Sequence, residues 1–210
     1  MTEIILIRHG ETKWNVEGVF RGRIDIELNE TGLKQTELLG KYLSKRKICA
    51  VCASPLKRVV RTAEIIASFH GLEVEPEPGL VDFDFGEWEG LSRQKVEDKY
   101  KKLYDVWAVR PDKVRVPDGE TLDEVRDRAM AVVDDVIARY EGAVALVAHR
   151  VINKVLICAM LGLDNSYFWK IKQDNCGVTT FFHDKGRFIM TEHNITSFLK
   201  PLQGATPGDF

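Results

Sequence analysis

The sequence predicts an α/β fold, a three-layer α/β/α sandwich with a mostly parallel central sheet and an insertion over one edge of that sheet. Residues 4–7 are four apolar residues in a row, a pattern typical of a strand buried on both faces of a parallel sheet. Residues 48–53 and 143–148 are short apolar runs of the same kind. A segment with helical spacing follows each run, so strands and helices alternate and the helices are expected on both faces.

The helices are predicted by the spacing of their apolar residues and by capping signals. One helix is expected to start at Ser54-Pro55, a pair suited to an N-cap and a first turn. Another, longer helix returns the chain to the core after the insertion. The predicted helices cover residues 31–45, 54–69, 121–140 and 149–161.

The remaining segments differ in composition from this alternating pattern. Residues 82–117 contain glycines, tryptophans and many charges around short helical stretches, which favours a lid or a pocket wall over the edge of the sheet. Residues 176–194 are predicted to form a hairpin around the turn signal at 184–186. Residues 200–210 have the composition of a flexible tail.

The bulk composition limits the classes of protein to be considered. With 210 residues and 44% hydrophobic content, residues 1–210 are expected to form a single domain. Thirty Lys and Arg against 32 Asp and Glu give a net charge of −2, which argues against nucleic-acid binding. No stretch approaches the ~20 apolar residues of a membrane span, and the start is unlike a signal peptide, so a cytoplasmic location is expected.

The cysteines are too sparse and too irregularly spaced for a disulfide framework or a zinc site. All four lie in apolar surroundings in the sequence, and we therefore expect buried thiols. They are Cys49, Cys52, Cys158 and Cys176.

Three of the predicted strands end in residues suited to binding a phosphate. Arg8 and His9 follow the first strand, Ser54 and Arg58 follow the second, and His149 follows a later one. Any of these residues alone is more often a satisfied polar group or a solvated charge. Because the carboxyl ends of parallel strands meet at one edge of the sheet, their joint occurrence favours a single anion site.

Several motifs, in order along nearly the whole chain, resemble those of the histidine phosphatase superfamily, also called the phosphoglycerate mutase-like family. An ordered set of this kind is far more specific than an isolated arginine-histidine-glycine triplet. The motifs are LIRHGETKWN at 6–15, SPLKR at 54–58 with Thr62-Ala63, FGEWEG at 85–90, PDGET at 117–121 and VAH at 147–149.

The resemblance implies that His9 is the nucleophile and forms a phosphohistidine. Its attacking nitrogen then has to be unprotonated, while a backbone acceptor holds the other ring nitrogen. Arg8, Arg58 and His149 would surround the equatorial phosphate oxygens. Fixed cations of this kind can replace metal ions, so neither a metal nor a cofactor is expected.

The resemblance also implies a carboxyl group that protonates the leaving oxygen and later activates water. The family usually has glutamate at this position, and alignment from Gly86 backwards places Asp82 there. Aspartate is one methylene shorter, so either its backbone lies closer to the phosphate or another group relays the proton. Asp84 is the alternative acid, and a turn-forming role is the alternative for either residue.

The residues expected to bind the substrate are Asn15, Arg21, Gly22 and Arg150. The family often has arginine and glutamine where this chain has Val19 and Arg21, and it prefers glycine where this chain has Arg150. Arg150 either binds a second acidic group of the substrate or points to solvent. Further candidates for such a group are Arg23, Arg110 and Arg115, and candidates for an apolar wall are Phe20, Phe83, Trp88 and Trp107.

The function expected from the sequence is that of a metal-independent phosphomonoesterase acting on a small phosphorylated metabolite. The alternatives are a cofactor-dependent phosphoglycerate mutase and a catalytically weak phosphate-binding module. The compact 91–117 segment favours a phosphatase over a mutase, because family mutases are generally longer and carry a basic insertion. The sequence leaves open the substrate and the oligomeric state, a homodimer included.

Overall fold

The computed structural model describes residues 1–202, and within them six strands form one sheet. The strands are β1 (Thr2–Arg8), β2 (Ile48–Ala53), β3 (Val74–Pro76), β4 (Gly142–Ala148), β5 (Val178–Asp184) and β6 (Arg187–Ile195). Their order is β3-β2-β4-β1-β5-β6. Strands β3, β2, β4 and β1 are parallel, and β5 runs antiparallel to both β1 and β6. The mostly parallel sheet predicted from the sequence is thereby confirmed.

Helices pack on both faces of this sheet. The helices of the described chain are α1 (Lys13–Glu17), α2 (Glu30–Leu43), α3 (Lys57–Ser68), α4 (Arg93–Lys99), α5 (Lys101–Val109), α6 (Leu122–Arg139) and α7 (Arg150–Met160), and α1 has no buried residue. Ile4 and Leu6 of β1 pack in the core under α6 and α7, whereas Ile5 and Ile7 pack in the core under α2 and α3. Because successive side chains of a strand point to opposite faces, the apolar run 4–7 fills both cores and confirms the three-layer sandwich.

The predicted insertion forms helices α4 and α5 and is fixed by aromatic packing. Trp88 and Trp107 are buried, with ring centroids 6.0 Å apart and planes nearly perpendicular. Trp107 also packs edge-on against Trp169 at 5.9 Å, and Trp169 donates from Nε1 to the Trp107 carbonyl at 2.7 Å. These contacts attach the insertion to the 3-10 turn that follows α7.

Two local predictions were wrong. Helix α3 begins at Lys57, with Leu56 as its N-cap, so Ser54 does not cap it. The expectation that all four cysteines are buried fails at Cys49, which is exposed. The pairing of β2 with β4 shifts register between Ile48 and Ala50, and this irregularity turns Cys49 outward.

The described part of the chain ends in a short 3-10 turn. Of the tail expected at 200–210, residues 200–202 belong to a 3-10 turn at Ser197–Leu202, and residues 203–210 lie outside the described residues. Within residues 1–202, no helix combines the length and the apolar character that crossing a membrane requires.

Candidate active site

The strand register brings the three predicted strand ends together. Arg8 is paired with Ala148, and Ala53 with Val147, so β1, β4 and β2 end at nearly the same level. The His9 N–H donates to the Ala148 carbonyl at 3.1 Å, and the Ser54 N–H donates to the Val147 carbonyl at 3.1 Å. Residues just beyond each strand therefore meet at one edge, as open parallel sheets require.

The His9 imidazole is held by its own loop. Its Nδ1 lies 2.6 Å from the Gly10 carbonyl oxygen, which can only accept, so Nδ1 carries the proton. Nε2 is then the basic nitrogen of the neutral ring. Burial, followed by the charges of Arg58, His149, Arg8 and Arg21, lowers the pKa of His9 well below its usual value. The lowered pKa favours the neutral ring, which is the form that the predicted nucleophile requires.

His149 faces His9 across the site, with the ring centroids 5.4 Å apart. Its Nε2 lies 2.8 Å from Ser54 Oγ, and its Nδ1 lies 3.4 Å from Asp82 Oδ2. Burial and the neighbouring arginines, Arg58 first, lower the pKa of His149 as well. Ser54 thus orients the second histidine rather than capping a helix.

Two buried guanidinium groups complete this part of the site. Arg8 donates from Nη1 to the Gln173 carbonyl at 2.7 Å. Arg58 donates to the carbonyls of Ile24 and Gly22 at 2.9 and 2.8 Å, and burial lowers its pKa. Because the charges that act most strongly on His9 are cationic, the site favours an anion.

The two candidate carboxyl groups lie in different surroundings. Asp82 is buried, and its Oδ2 is 3.2 Å from Arg58 Nη2. The other oxygen, Oδ1, accepts from the Phe83 N–H at 2.9 Å. Asp84 instead accepts from the Gly86 N–H and pairs with Arg23 at 3.2 Å. The structure places Asp82 beside Arg58 and His149, whereas Asp84 stabilises the adjoining turn.

A cavity of about 240 Å³ opens beside Asp82. Three of its lining residues are arginines, Arg21, Arg93 and Arg150, and several others are aromatic. The remaining lining residues are Gly18, Val19, Phe20, Gly22, Phe85, Tyr104, Trp107, Ala108, Val151 and Trp169. Helices α4 and α5 thus contribute to the wall of the cavity, which combines a cationic side with an aromatic side.

Gly22 and Asn15 stabilise the loops around the site. Gly22 has φ +49°, and a Cβ there would lie 1.8 Å from Glu89 Oε1. A side chain at position 22 would have to displace the Glu89 carboxylate as well as adopt a positive φ, so glycine is favoured where the Gly22 carbonyl meets Arg58. The Asn15 side-chain oxygen accepts from the Thr12 N–H at 2.9 Å and from Asn175 Nδ2 at 3.4 Å, which ties α1 to the loop after His9.

Several other candidates lie away from the cavity. Arg23 pairs with Asp84 and Glu120, Arg110 with Asp112, and Arg115 with Glu124. Phe83 and Trp88 are fully buried in the core, whereas Phe20 and Trp107 line the cavity as expected. These arginines are therefore held in ion pairs, and these two aromatic residues are part of the core, although their residue types had suggested contacts with the substrate.

Sequence reasoning missed Arg93 and Tyr104 in the cavity wall. Arg93 lies at the start of α4 and its guanidinium carbon is 5.8 Å from the centre of the Tyr104 ring. The signal available was the predicted lid itself, which contains both residues. Nothing in their spacing indicated which face of the short helices turns toward the site.

A group with metal-ligand character lies elsewhere in the described chain, on β2, on β3 and just after β3. It consists of Cys52, Glu75 and Glu77. Arg139 already pairs with both glutamates at 2.9 and 2.8 Å. Burial raises the pKa of the Cys52 thiol to about 12, which disfavours the thiolate that binds metal. The group is therefore better described as an ion-pair cluster.

Comparisons of sequence and of structure with known proteins agree on one family. The histidine phosphatase superfamily (branch 1) matches residues 4–196. Phosphoserine phosphatase 1 of Hydrogenobacter thermophilus is 35% identical over 200 residues, covering 95% of each chain. YhfR of Bacillus stearothermophilus has a TM-score of 0.90 at 28% identity, covering 94% of this chain and 100% of that one.

A further solved structure carries a substrate-like ligand. It is a mutant phosphoserine phosphatase from Entamoeba histolytica in complex with phosphoserine, with a TM-score of 0.80 and 29% identity. The match covers 95% of this chain and 100% of that chain. Because the family match spans nearly the whole sequence, and because the fold agrees, the chain belongs to the histidine phosphatase superfamily.

Proposed function

We propose that the protein hydrolyses a small phosphate monoester through a phosphohistidine at His9, without a metal ion. Phosphoric monoester hydrolysis agrees with its family and with relatives named as phosphatases. The observation that carries the proposal is the bond from His9 Nδ1 to the Gly10 carbonyl at 2.6 Å, within a cationic site. It leaves a neutral ring whose Nε2 can attack phosphorus.

In the first step, His9 Nε2 forms a bond to phosphorus and the bond from phosphorus to the ester oxygen breaks. Asp82, in its protonated form, donates a proton to the leaving alkoxide, which departs as an alcohol. In the second step, the Asp82 carboxylate takes a proton from a water molecule, and the water oxygen attacks the phosphohistidine. Orthophosphate and neutral His9 are released, and Asp82 is again protonated.

Arg8 and Arg58 supply the charge stabilisation, and His149 completes the set of groups around the phosphate oxygens as a hydrogen-bond donor. Phosphoryl transfer depends mainly on positioning and on cations around the equatorial oxygens, and a fixed guanidinium donates to two oxygens at once. Arg58 is held by two backbone carbonyls and by Asp82, so it needs little reorganisation when phosphate binds.

The cavity supports a substrate with a carboxylate. Arg21, Arg93 and Arg150 line it near Asp82, and a carboxylate is the group that arginine binds in a planar, two-point contact. Phosphoserine, after which two similar proteins are named as phosphatases, has a carboxylate close to its phosphate. We infer that the substrate is a phosphorylated hydroxy acid or amino acid.

The test is a panel of phosphate monoesters ranked by kcat/KM for phosphate release. Phosphoserine and 3-phosphoglycerate should rank above phosphoethanolamine and simple sugar phosphates. Adding 3-phosphoglycerate with and without a bisphosphate primer separates the mutase alternative, because isomerisation faster than phosphate release contradicts the proposal. Tight phosphate binding without turnover of any ester would favour the binding module instead.

A further inference from the structure

The peptide group between Gly10 and Glu11 connects the nucleophile to helix α2. At one end, its carbonyl oxygen accepts from His9 Nδ1 at 2.6 Å. At the other end, its N–H, which belongs to Glu11, donates to Gln35 Oε1 at 2.9 Å. Gln35 is therefore one peptide group away from the imidazole that we propose as the nucleophile.

Helix α2 and the residue before it contact the loop around this peptide at several points. Gln35 is buried, and the Asn29 N–H donates to the Glu11 carbonyl at 3.0 Å. A Cβ at Gly32 would lie 2.1 Å from that carbonyl oxygen, so α2 and the loop are in direct backbone contact. Gln35 thus has little freedom to move away from the Glu11 N–H.

We propose that Gln35 is a positioning residue for His9. A peptide whose N–H is donated to a strong acceptor has a more polarised carbonyl, which is in turn a better acceptor. The Gly10 carbonyl then holds the proton on Nδ1 and fixes the plane of the ring, which directs the lone pair of Nε2 toward the phosphate. Gln35 does not touch the substrate, and its effect on turnover rests on the proposed function of His9.

The kinetic test compares variants that differ in the acceptor at position 35. Gln35→Met keeps the length of the side chain but removes the acceptor, so the Gly10 carbonyl should hold the proton on Nδ1 less firmly and kcat should fall about tenfold. The KM should stay within about twofold of the wild type, since no substrate contact is lost. Gln35→Glu keeps an oxygen at the same place and should recover most of the kcat.

The control is Thr180→Val, on β5. Thr180 is also buried, and its hydroxyl donates to Glu192 Oε2 of β6 at 2.8 Å, in a different part of the sheet from the Gly10–Glu11 peptide. This variant should lose stability as Gln35→Met does but keep its kcat within about twofold. An equal fall in kcat for both variants would show a merely structural effect and overturn the proposal.

A spectroscopic readout keeps the proposal testable whatever the activity. In protein with ¹⁵N-labelled histidine, the ring nitrogen shifts report which nitrogen carries the proton, and His9→Asn identifies the signals. Wild type should show only the Nδ1–H form, and Gln35→Met a mixture. If Gln35→Met keeps the pure Nδ1–H form, Gln35 does not position the ring, even where the phosphatase activity itself is established.

The wild-type protein offers a measurement that requires no folded variant. The Glu11 amide should exchange with solvent deuterium as slowly as the amides of β1, because it is buried and bonded to Gln35. Exchange at the rate of an exposed loop amide would show that the bond is not maintained, and would overturn the proposal.

Discussion

Asp82 and Arg58 meet in the site, with Asp82 Oδ2 3.2 Å from Arg58 Nη2, although 24 positions separate them in the sequence. The same oxygen lies 3.4 Å from His149 Nδ1. Arg58 and His149, which lie in two other segments of the chain, therefore both approach one carboxylate oxygen of Asp82. This arrangement is the basis for assigning the proton transfers to Asp82 rather than to Asp84.

Asp82→Asn should lower kcat for an alkyl phosphate by roughly 10²–10⁴, the usual contribution of a general acid and base. With an aryl phosphate, whose leaving group needs no proton, the loss in the phosphorylation step should be much smaller. Burst kinetics separate the two steps. Asp84→Asn is the control, since Asp84 pairs with Arg23, and its kcat should remain within a fewfold of wild type. Reversed effects of the two variants would assign the acid to Asp84.

Gly22→Ala should lower the free energy of unfolding more than an alanine substitution at a left-handed glycine that has open space around it. At Gly22 the new Cβ meets Glu89 Oε1, which already accepts from the N–H groups of Arg23 and Phe85. Gly71 has φ +64° with no heavy atom within 4 Å of a Cβ, so Gly71→Ala measures the backbone cost alone, about 1–2 kcal/mol.

In chemical denaturation, the free energy of unfolding should fall by about 1–3 kcal/mol more for Gly22→Ala than for Gly71→Ala, since backbone hydrogen bonds are also disturbed. The KM should rise as well, because the Gly22 carbonyl holds Arg58. Equal losses of stability in the two variants, with an unchanged KM, would contradict the loop geometry described above.

Arg150→Met should raise the KM for phosphoserine by about tenfold or more, the effect of losing a charge-assisted contact to a carboxylate. The KM for phosphoethanolamine, which has no carboxylate, should change less than about twofold. Arg110→Met is the control, because Arg110 pairs with Asp112 on the insertion and should leave both KM values unchanged. A similar rise in KM for both esters would place Arg150 at the phosphate instead.

The free energy of unfolding should fall as the pH drops below about 6.5. His9 and His149 have pKa values lowered by burial, so in this range the unfolded chain takes up protons that the folded chain does not. Each histidine then contributes a slope of about 1.4 kcal/mol per pH unit, with stability lost toward low pH. Denaturant titrations in phosphate-free buffer at several pH values measure this dependence. In the His9→Gln/His149→Gln double variant, the free energy of unfolding should change less steeply with pH. An unchanged slope would mean that these rings are not buried in neutral form.

Much of the fold was predictable because the apolar pattern of each strand agrees with its buried place in the parallel sheet. The apolar run at 4–7 and the runs at 48–53 and 143–148 specify buried parallel strands, and parallel pairing alone brings Arg8, His9 and His149 to one edge. The short strand β3 was not predicted, since three residues carry too little periodicity to be recognised.

The details of the site depended on contacts that no local pattern encodes. Ser54 has the local signature of a helix cap, yet its hydroxyl meets His149, 95 positions away. Arg23 and Arg150 are equally plausible substrate ligands by type, and only the fold shows that acidic neighbours hold Arg23 outside the cavity. Gln35 gave no signal of its own, because its relation to His9 passes through a backbone peptide.

The central claim is tested most directly by trapping the covalent intermediate. Enzyme mixed with labelled substrate and quenched in alkali within the burst phase should carry a phosphoryl group on His9 that is stable in alkali and lost in acid. Peptide mass spectrometry locates it, and His9→Ala should neither be labelled nor turn over the ester. Full turnover by His9→Ala, or a label on another residue in the wild type, would contradict the proposed mechanism.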